Sequence, residues 1–279
     1  MLEIKNIKDF DLDSTVTCGQ IFRYEKEKDN SYTIILKDRV VNVKYDGKSL
    51  FIESNNYDNL ENIIKKYFDL DRDYSKINDV LVKKDASIKD IVLACKGLKM
   101  INSYPFETAI SYIISANNSV PSIKKSVDKI SMLYGKKIMF KNKEYYLFPT
   151  FDELKNVTTE DYRRCSVGFR DKYIKNFVDL VIKNTDYLDE VQNMDSVYAF
   201  ELLQKEPGIG PTVASCILLF AYQKFDVYPI DTWVKKTMKD KYNIVGEKNI
   251  RNYTKELYGE YSGIAIQYMF HYKRNSLQK

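Results

Sequence analysis

The sequence predicts an α+β fold in which a small N-terminal antiparallel sheet packs on a mostly helical body. Residues 20–53 contain short runs rich in β-branched and aromatic residues, separated by polar turns. From Tyr57 onward the spacing of apolar residues lengthens to three or four, which is typical of helices. A glycine-rich segment at residues 207–210 interrupts this pattern and predicts a tight hairpin between two helices.

Four short strands are expected in the N-terminal part. The pair Asp46-Gly47 predicts a turn before the last of them. The predicted strands are residues 21–24, 32–36, 40–45 and 50–53.

The first strong helical pattern follows the strands, where five apolar residues share one face: Leu60, Ile63, Ile64, Tyr67 and Phe68. We therefore divide the chain into an N-terminal antiparallel-sheet domain with flanking helices, residues 1–97, and a helical domain, residues 98–279. The sequence contains no internal repeat and no low-complexity linker, so the two parts are expected to pack directly on each other.

The hairpin segment reads Pro207-Gly208-Ile209-Gly210 and is followed by Pro211, which suits a first helical position. Apolar residues recur at helical spacing after it, so the second helix buries one face. Such a hairpin exposes unpaired backbone N–H groups and the positive end of a helix dipole, for which a phosphate is the natural partner. A nucleic-acid backbone is the first ligand to consider, although an ordinary turn between helices is the alternative.

Composition excludes several other classes of protein. The chain of 279 residues is 44% hydrophobic, which suffices for a sizeable core, and its formal net charge of +5 agrees with a polyanionic partner without demonstrating one. No apolar segment reaches the roughly 18 residues needed to span a bilayer, and the start lacks the apolar block of a signal peptide. We expect a cytoplasmic protein with no membrane partner, associated with the nucleoid if the source is a prokaryote.

The cysteines do not form a cluster. Cys18, Cys95, Cys165 and Cys216 are widely spaced, and the one histidine is His271. Neither a zinc site nor an iron–sulfur loop can be drawn from these residues, so no metal and no cofactor are expected.

The stretch from Leu202 to Met238 resembles the helix-hairpin-helix-GPD superfamily of DNA glycosylases. In that superfamily a Gly/Pro-rich hairpin holds DNA, and an aspartate follows in a Val-Pro-x-Asp-like segment. Here Asp231 follows in Tyr228-Pro229-Ile230-Asp231, twenty-one residues after Gly210.

Further segments resemble the 8-oxoguanine DNA glycosylase family in particular. Residues 18–24, Cys-Gly-Gln-Ile-Phe-Arg-Tyr, are similar to a mark of that family's N-terminus. Residues 115–118 resemble its Ser-x-Asn-Asn segment, residues 168–170 its Gly-Tyr-Arg wedge, and residues 261–270 its C-terminal helix. Each motif is weak alone, but their shared order is specific and covers nearly the whole chain.

The resemblance implies a role for each of these positions. Asp231 is the catalytic carboxylate, which stabilises the positive charge of the sugar or the attacking water, and it can also cap the helix that follows. Base recognition is implied for Gly19, Cys216, Phe270 and the position of Ile266. Contact with DNA is implied for Asn117, Phe169, Arg170, Gly208, Gly210 and Val213, with Phe169 as the wedge and Asn117 filling the space left by the extruded base.

Four positions depart from the family pattern. Lyase-type members have a lysine where this chain has Thr212, and a threonine cannot form the Schiff base. Ser215 replaces the usual aspartate, Ile266 the glutamine that reads the damaged base, and Ser122 the arginine that some members keep against the opposite cytosine. We therefore expect weak preference for the opposite base. The lyase step is in doubt: the chain is either a monofunctional enzyme, with water placed by Asp231, or an inactivated variant, natural or engineered, that still binds DNA.

The leading hypothesis is an 8-oxoguanine-type DNA glycosylase of base-excision repair. It would act as a monomer on double-stranded DNA that contains a damaged purine. One alternative is a monofunctional alkylpurine glycosylase, which needs only the aspartate. The other is a protein that binds lesions without turnover.

Overall fold

The computed structural model describes residues 1–276, which form seven strands and fourteen helices. The strands are β1 (Leu2–Ile4), β2 (Tyr24–Lys26), β3 (Tyr32–Ile35), β4 (Val40–Tyr45), β5 (Leu50–Ser54), β6 (Lys137–Phe140) and β7 (Lys143–Tyr146). The helices in the first half are α1 (Leu12–Thr17), α2 (Leu60–Tyr67), α3 (Tyr74–Lys84), α4 (Lys89–Ala94), α5 (Pro105–Ser115) and α6 (Val120–Tyr134). Those in the second half are α7 (Thr159–Arg164), α8 (Asp171–Lys183), α9 (Tyr187–Asn193), α10 (Ser196–Leu203), α11 (Pro211–Tyr222), α12 (Thr232–Tyr242), α13 (Glu247–Tyr258) and α14 (Ser262–Ser276).

The N-terminal sheet has five strands in the order β1-β5-β4-β3-β2, and all neighbours are antiparallel. Val43 in β4 pairs with Tyr32 in β3 and with Ile52 in β5, and all three are buried. Their face packs on α1 and α2. The separate hairpin of β6 and β7 contacts the sheet around Val40.

The first predicted strand is misplaced by three residues, because β2 begins at Tyr24 and not at Ile21. Arg23 leaves the strand pattern because its side chain is buried, pairs with Glu107 of α5 at 3.5 Å and donates to the carbonyl of Tyr146. Strand β1 was not predicted. It has three residues and is held by pairing with β5, a contact that local sequence does not encode.

The helices build a second and larger hydrophobic core, centred on α5, α8, α11 and α14. Residues of α3 and α4 pack into this core, with Ile77, Leu81 and Ile91 among them. The core therefore extends to helices that the sequence assigned to the N-terminal domain, residues 1–97. The predicted fold class, a small antiparallel sheet on a mostly helical body, is confirmed.

Two features of the fold position the residues of interest. The glycine-rich segment connects α10 to α11, as the sequence predicts, and α11 is buried along most of its length. Between residues 1 and 276, no helix is both long enough and apolar enough to cross a bilayer.

Candidate active site

The hairpin between α10 and α11 is fixed by one glycine. Gly208 has φ +87°, a conformation that residues with a side chain rarely adopt. A Cβ at this position would lie 2.5 Å from Cγ of Tyr173, so the ring of Tyr173 occupies the space of the missing side chain. The turn also contains a hydrogen bond from the N–H of Ile209 to the carbonyl of Glu206, at 3.0 Å.

The second glycine of the hairpin, Gly210, faces open space and is the N-cap of α11. No side chain caps this helix. Its first intrahelical hydrogen bond runs from Ala214 to Gly210, at 2.9 Å, so the earlier N–H groups of Thr212 and Val213 lack helical acceptors. Val213 is buried, and only its backbone can reach a ligand. This helix start can bind an anion.

The first turns of α11 carry two of the four residues that depart from the family pattern, Thr212 and Ser215. Thr212 is exposed in the first turn. Ser215 is buried and its hydroxyl donates to the carbonyl of Pro211 at 2.8 Å, so it carries no charge and is engaged within the helix. Burial, together with the negative charge of Asp231, raises the pKa of the Cys216 thiol. Cys216 is therefore a neutral, weakly polar surface and not a nucleophile.

Asp231 is the N-cap of α12, as the sequence predicts, and its carboxylate accepts from the N–H of Val234 at 2.8 Å. Burial raises the pKa of this carboxyl, and the hydrogen bonds to the backbone oppose that shift. The negative charge of Asp231 also contributes to the raised pKa of the Cys216 thiol in α11. Asp231 is thus a half-buried carboxylate at the start of α12.

The predicted base-recognition residues Gly19 and Phe270 are neighbours, although the chain separates them widely. Gly19 has φ +92°, and a Cβ there would lie 3.7 Å from Cε1 of Phe270 and 3.5 Å from Nη1 of Arg274. The carbonyl of Gly19 accepts from the hydroxyl of Tyr112 at 3.0 Å. We call Gly19 and Phe270, after the role that the resemblance implies for them, the base site.

Ile266, the remaining predicted base-recognition position, is almost fully buried. It is 1% exposed and belongs to the large core, so it presents no surface to a ligand, in contrast to the role implied for its position. The adjacent Gln267 is also buried, and its amide donates to the carbonyl of Cys18 at 3.2 Å. Gln267 therefore anchors the loop that carries Gly19.

Asn117 and Phe169 lie at the surface on adjoining segments. Asn117 is exposed with φ +50°, and Phe169, in a 3-10 turn at Gly168–Arg170, is 61% exposed. Exposure of a large aromatic ring fits a side chain that inserts into a base stack.

Arg170 occupies a different place from the predicted DNA contact. It is 6% exposed, and its guanidinium donates to the carbonyls of Ala116, Asn117 and Val167, with Nη2 lying 3.1 Å from the oxygen of Asn117. All of these acceptors are protein backbone, so the side chain is not free to reach a phosphate. Arg170 instead holds the Asn117 loop against the turn that carries Phe169.

Sequence reasoning missed two residues that organise the site. Tyr173 contacts both Gly208 and the ring of Phe169, whose centroid lies 6.3 Å away. Tyr112 stacks on Phe220 of α11 at 5.7 Å and bonds to Gly19. Both tyrosines fit an ordinary helical core pattern in the sequence, so no signal distinguished them.

Comparison with known proteins gives a consistent result. Residues 3–109 match the model of the 8-oxoguanine DNA glycosylase N-terminal domain. The structure superimposes on a Clostridium acetobutylicum 8-oxoguanine glycosylase/lyase, solved with double-stranded DNA containing cytosine opposite 8-oxoguanine, with a TM-score of 0.93. The two chains are 38% identical, and the match covers 99% of this chain and 98% of the other. This chain belongs to the 8-oxoguanine DNA glycosylase family.

Curated relatives agree with this assignment. The probable N-glycosylase/DNA lyase of Methanothermobacter thermautotrophicus is 28% identical, over 76% of this chain and 74% of its own length. The N-glycosylase/DNA lyase OGG1 of Arabidopsis thaliana is 25% identical, over 92% and 75%. Membership in the 8-oxoguanine DNA glycosylase family confirms the predicted enzyme class, a DNA N-glycosylase.

A more distant structure shares the architecture. The 3-methyladenine DNA glycosylase of Archaeoglobus fulgidus superimposes with a TM-score of 0.80 over 98% of this chain and 99% of its own. Its identity to this chain is 19%, so the likeness concerns the fold alone.

Proposed function

We propose that this member of the 8-oxoguanine DNA glycosylase family is a monofunctional enzyme, which releases 8-oxoguanine from double-stranded DNA and leaves the abasic strand intact. The proposal rests on the presence of a half-buried carboxylate, Asp231, in a chain whose residue 212, at the start of α11, is a threonine. The carboxylate supports hydrolysis, and the threonine offers no amine.

Asp231 supplies the chemistry of base release. As the bond between C1′ and the purine nitrogen breaks, positive charge develops on the sugar, and a fixed carboxylate stabilises that charge more than it stabilises the substrate. The purine nitrogen keeps the electron pair of the broken bond and is protonated from solvent. Water adds its oxygen to C1′ and gives up one proton to the Asp231 carboxylate. A carboxylate with a raised pKa is also better suited to accept that proton than an ordinary exposed one.

The lyase step needs a different group. Imine formation requires an amine within reach of C1′, and the threonine hydroxyl at residue 212 cannot provide it. Cys216 does not replace it, because burial and the nearby Asp231 carboxylate raise the thiol pKa and keep the thiol protonated. Release of the base without strand cleavage follows.

The other residues of the site bind the duplex and assist extrusion of the base. The free N–H groups at the start of α11 and the open surface over Gly210 accommodate a backbone phosphate. The exposure of Phe169 and Asn117, on segments tied together by Arg170, supports roles for them as the wedge and the space-filling side chain. The base site, with an apolar ring and a backbone carbonyl, receives the flipped purine.

The test is single-turnover incubation of excess protein with duplexes that carry 8-oxoguanine, an alkylated purine or no lesion. Each reaction is divided, and one half is treated with hot alkali, which breaks the strand at abasic sites. We expect cleavage only on the 8-oxoguanine duplex and only after alkali.

The other outcomes lead elsewhere. Cleavage without alkali would contradict the monofunctional mechanism, and release of the alkylated purine alone would identify an alkylpurine glycosylase. Selective binding of the 8-oxoguanine duplex with no release of base would identify a lesion-binding protein, a reading that the changes at Thr212, Ser215 and Ile266 favour.

A further inference from the structure

Arg274, near the end of α14, is a charged side chain that borders both Gly19 and Phe270. Its Nη1 lies 3.5 Å from the position that a Cβ of Gly19 would occupy, and its guanidinium carbon lies 5.8 Å from the ring centroid of Phe270. The guanidinium is therefore at the edge of the base site.

Only part of this guanidinium is engaged. Nη2 donates to the carbonyl of Thr17 at 2.6 Å, which fixes the group in place. Nε is buried and has no hydrogen-bond partner within residues 1–276. No carboxylate of residues 1–276 lies within 4.0 Å of the Arg274 guanidinium.

The rest of α14 leaves few donors for a base. Ile266 is apolar and buried, and the amide of Gln267 is occupied by the carbonyl of Cys18. A guanidinium presents donors in a fixed planar fork and accepts nothing, so it selects ligands that carry acceptor oxygens or nitrogens.

We propose that Arg274 is a specificity-determining residue of the base site, and that it selects purines with a carbonyl oxygen at position 6. This inference rests on the proposed function, in which the flipped base lies against Gly19 and Phe270. A phosphate is the less suitable occupant, because the free N–H groups for phosphate are at the start of α11 and Arg274 borders an aromatic ring.

The experiment compares binding of two lesions that share a 2-amino group and the oxidised carbon, 8-oxoguanine and 8-oxo-2,6-diaminopurine. The first has an acceptor oxygen at position 6 and a donor at N1, and the second has a donor amino group at position 6 and an acceptor at N1. Dissociation constants are measured for duplexes with each lesion and for the undamaged duplex, with wild-type protein, Arg274→Met and Arg274→Lys.

A matched control separates recognition from loop position. Gln267→Met removes the other side-chain hydrogen bond from α14 to the same loop, but it removes no donor at Gly19. We expect it to weaken both lesions equally and to leave their affinity ratio unchanged.

We expect wild-type protein to prefer the 8-oxoguanine duplex and Arg274→Met to lower that preference by about tenfold, as for loss of a good contact to a base edge. Arg274→Lys should retain the charge and lose most of the preference, because a lysine cannot hold the Thr17 carbonyl and the base together.

The proposal would be overturned if Arg274→Met left the ratio of affinities for the two lesion duplexes unchanged. It would also be overturned if Gln267→Met lowered that ratio as much as Arg274→Met does. Equal weakening of undamaged DNA would identify a phosphate contact instead, and a wild-type protein with no preference would also contradict it. Failure of the proposed function can be distinguished from failure of this inference. If the protein bound 8-oxoguanine DNA selectively through Arg274 but released no base, the proposed function would be wrong and this inference would stand.

Discussion

The ring of Tyr173 fills the space that a side chain at Gly208 would need, since a Cβ there would lie 2.5 Å from the ring. The same ring meets Phe169 edge to face at an interplanar angle of 85°. One tyrosine of α8 therefore contacts both the hairpin that is proposed to bind a phosphate and the aromatic residue that is proposed to enter the base stack. Packing around Tyr173 therefore fixes the two parts of the proposed DNA interface relative to each other.

The two hairpin glycines should respond differently to substitution. Gly208→Ala should lower the free energy of unfolding by about 2 kcal/mol, because the added Cβ meets Tyr173 at positive φ. Gly210→Val should change it by no more than about 1 kcal/mol, because residue 210 has φ −81° and faces open space.

The substitution at Gly210 should instead lower the affinity for DNA. Gly210→Val should weaken lesion and undamaged duplexes alike by about tenfold or more, because the new side chain occupies the path of the phosphate, a change of about 1.4 kcal/mol or more. Chemical denaturation and fluorescence anisotropy measure the two effects. A folded Gly210→Val protein with unchanged affinity for both duplexes would show that the hairpin does not hold DNA.

Phe169→Ala should leave stability within about 0.5 kcal/mol of wild type, because the ring is 61% exposed. Binding of lesion DNA and release of base should fall by about tenfold, the size of one lost stacking contact. Met139→Ala is the control, since Met139 is 56% exposed on the β6–β7 hairpin. If both variants bind lesion DNA equally well, Phe169 is not the wedge.

Thr212→Lys tests the missing lyase step. Wild-type protein should not be trapped on 8-oxoguanine DNA by borohydride, because no amine is present at residue 212. In the variant, the positive end of the α11 dipole lowers the pKa of the new lysine, so part of the amine is free to react. A covalent adduct and strand nicking should appear on denaturing gels. Tight binding without adduct or base release would favour the lesion-binding protein instead.

Much of this architecture could be predicted because its signals are local. Pro207 to Pro211 and the capping position of Asp231 depend on turn and helix-end chemistry, which short segments encode. The same holds for the strands β3, β4 and β5, whose β-branched runs are continuous in sequence.

The remainder depended on contacts between distant segments. The sequence around Arg170 is typical of a surface cation. Only the fold shows that its guanidinium donates hydrogen bonds to three backbone carbonyls. Ile266 was assigned by register within a helix motif, whereas its burial is set by how α14 packs into the core. Arg274 belongs to no motif, and its place beside Gly19 follows from the contact of α14 with the segment after α1.

The rate of base release should depend on pH through Asp231. Only the ionised carboxylate stabilises a positive sugar, so the rate should fall about tenfold per pH unit below the pKa of Asp231. Because burial raises that pKa, the fall should begin above the ordinary aspartate value of 3.8. Single-turnover rates across the acidic range, with circular dichroism to verify folding, measure it. A rate that stays constant through this range would show that another group supplies the charge.

The raised pKa of Asp231 also affects stability: the rate should rise with pH, whereas the contribution of this carboxyl to stability should fall. A carboxyl with a raised pKa in the folded state binds its proton more tightly there than in the unfolded chain, so its contribution falls as pH rises through the folded pKa. At neutral pH the ionised Asp231 is therefore a destabilising group. Asp231→Asn should be at least as stable as wild type in thermal unfolding at pH 7, because asparagine also caps a helix. A large loss of stability would show that the carboxylate is mainly structural.

The most direct test of the proposed mechanism compares single-turnover release of 8-oxoguanine by wild type, Asp231→Asn and Asp195→Asn. Asp195 caps α10 by accepting from the N–H of Val197 at 3.0 Å and is exposed, so its variant makes the same chemical change at another helix start. We expect Asp231→Asn to bind the lesion duplex normally and to release base at least about 100-fold more slowly, a barrier increase of about 2.7 kcal/mol, while Asp195→Asn keeps the wild-type rate. Equal rates for all three proteins would contradict the central role of Asp231.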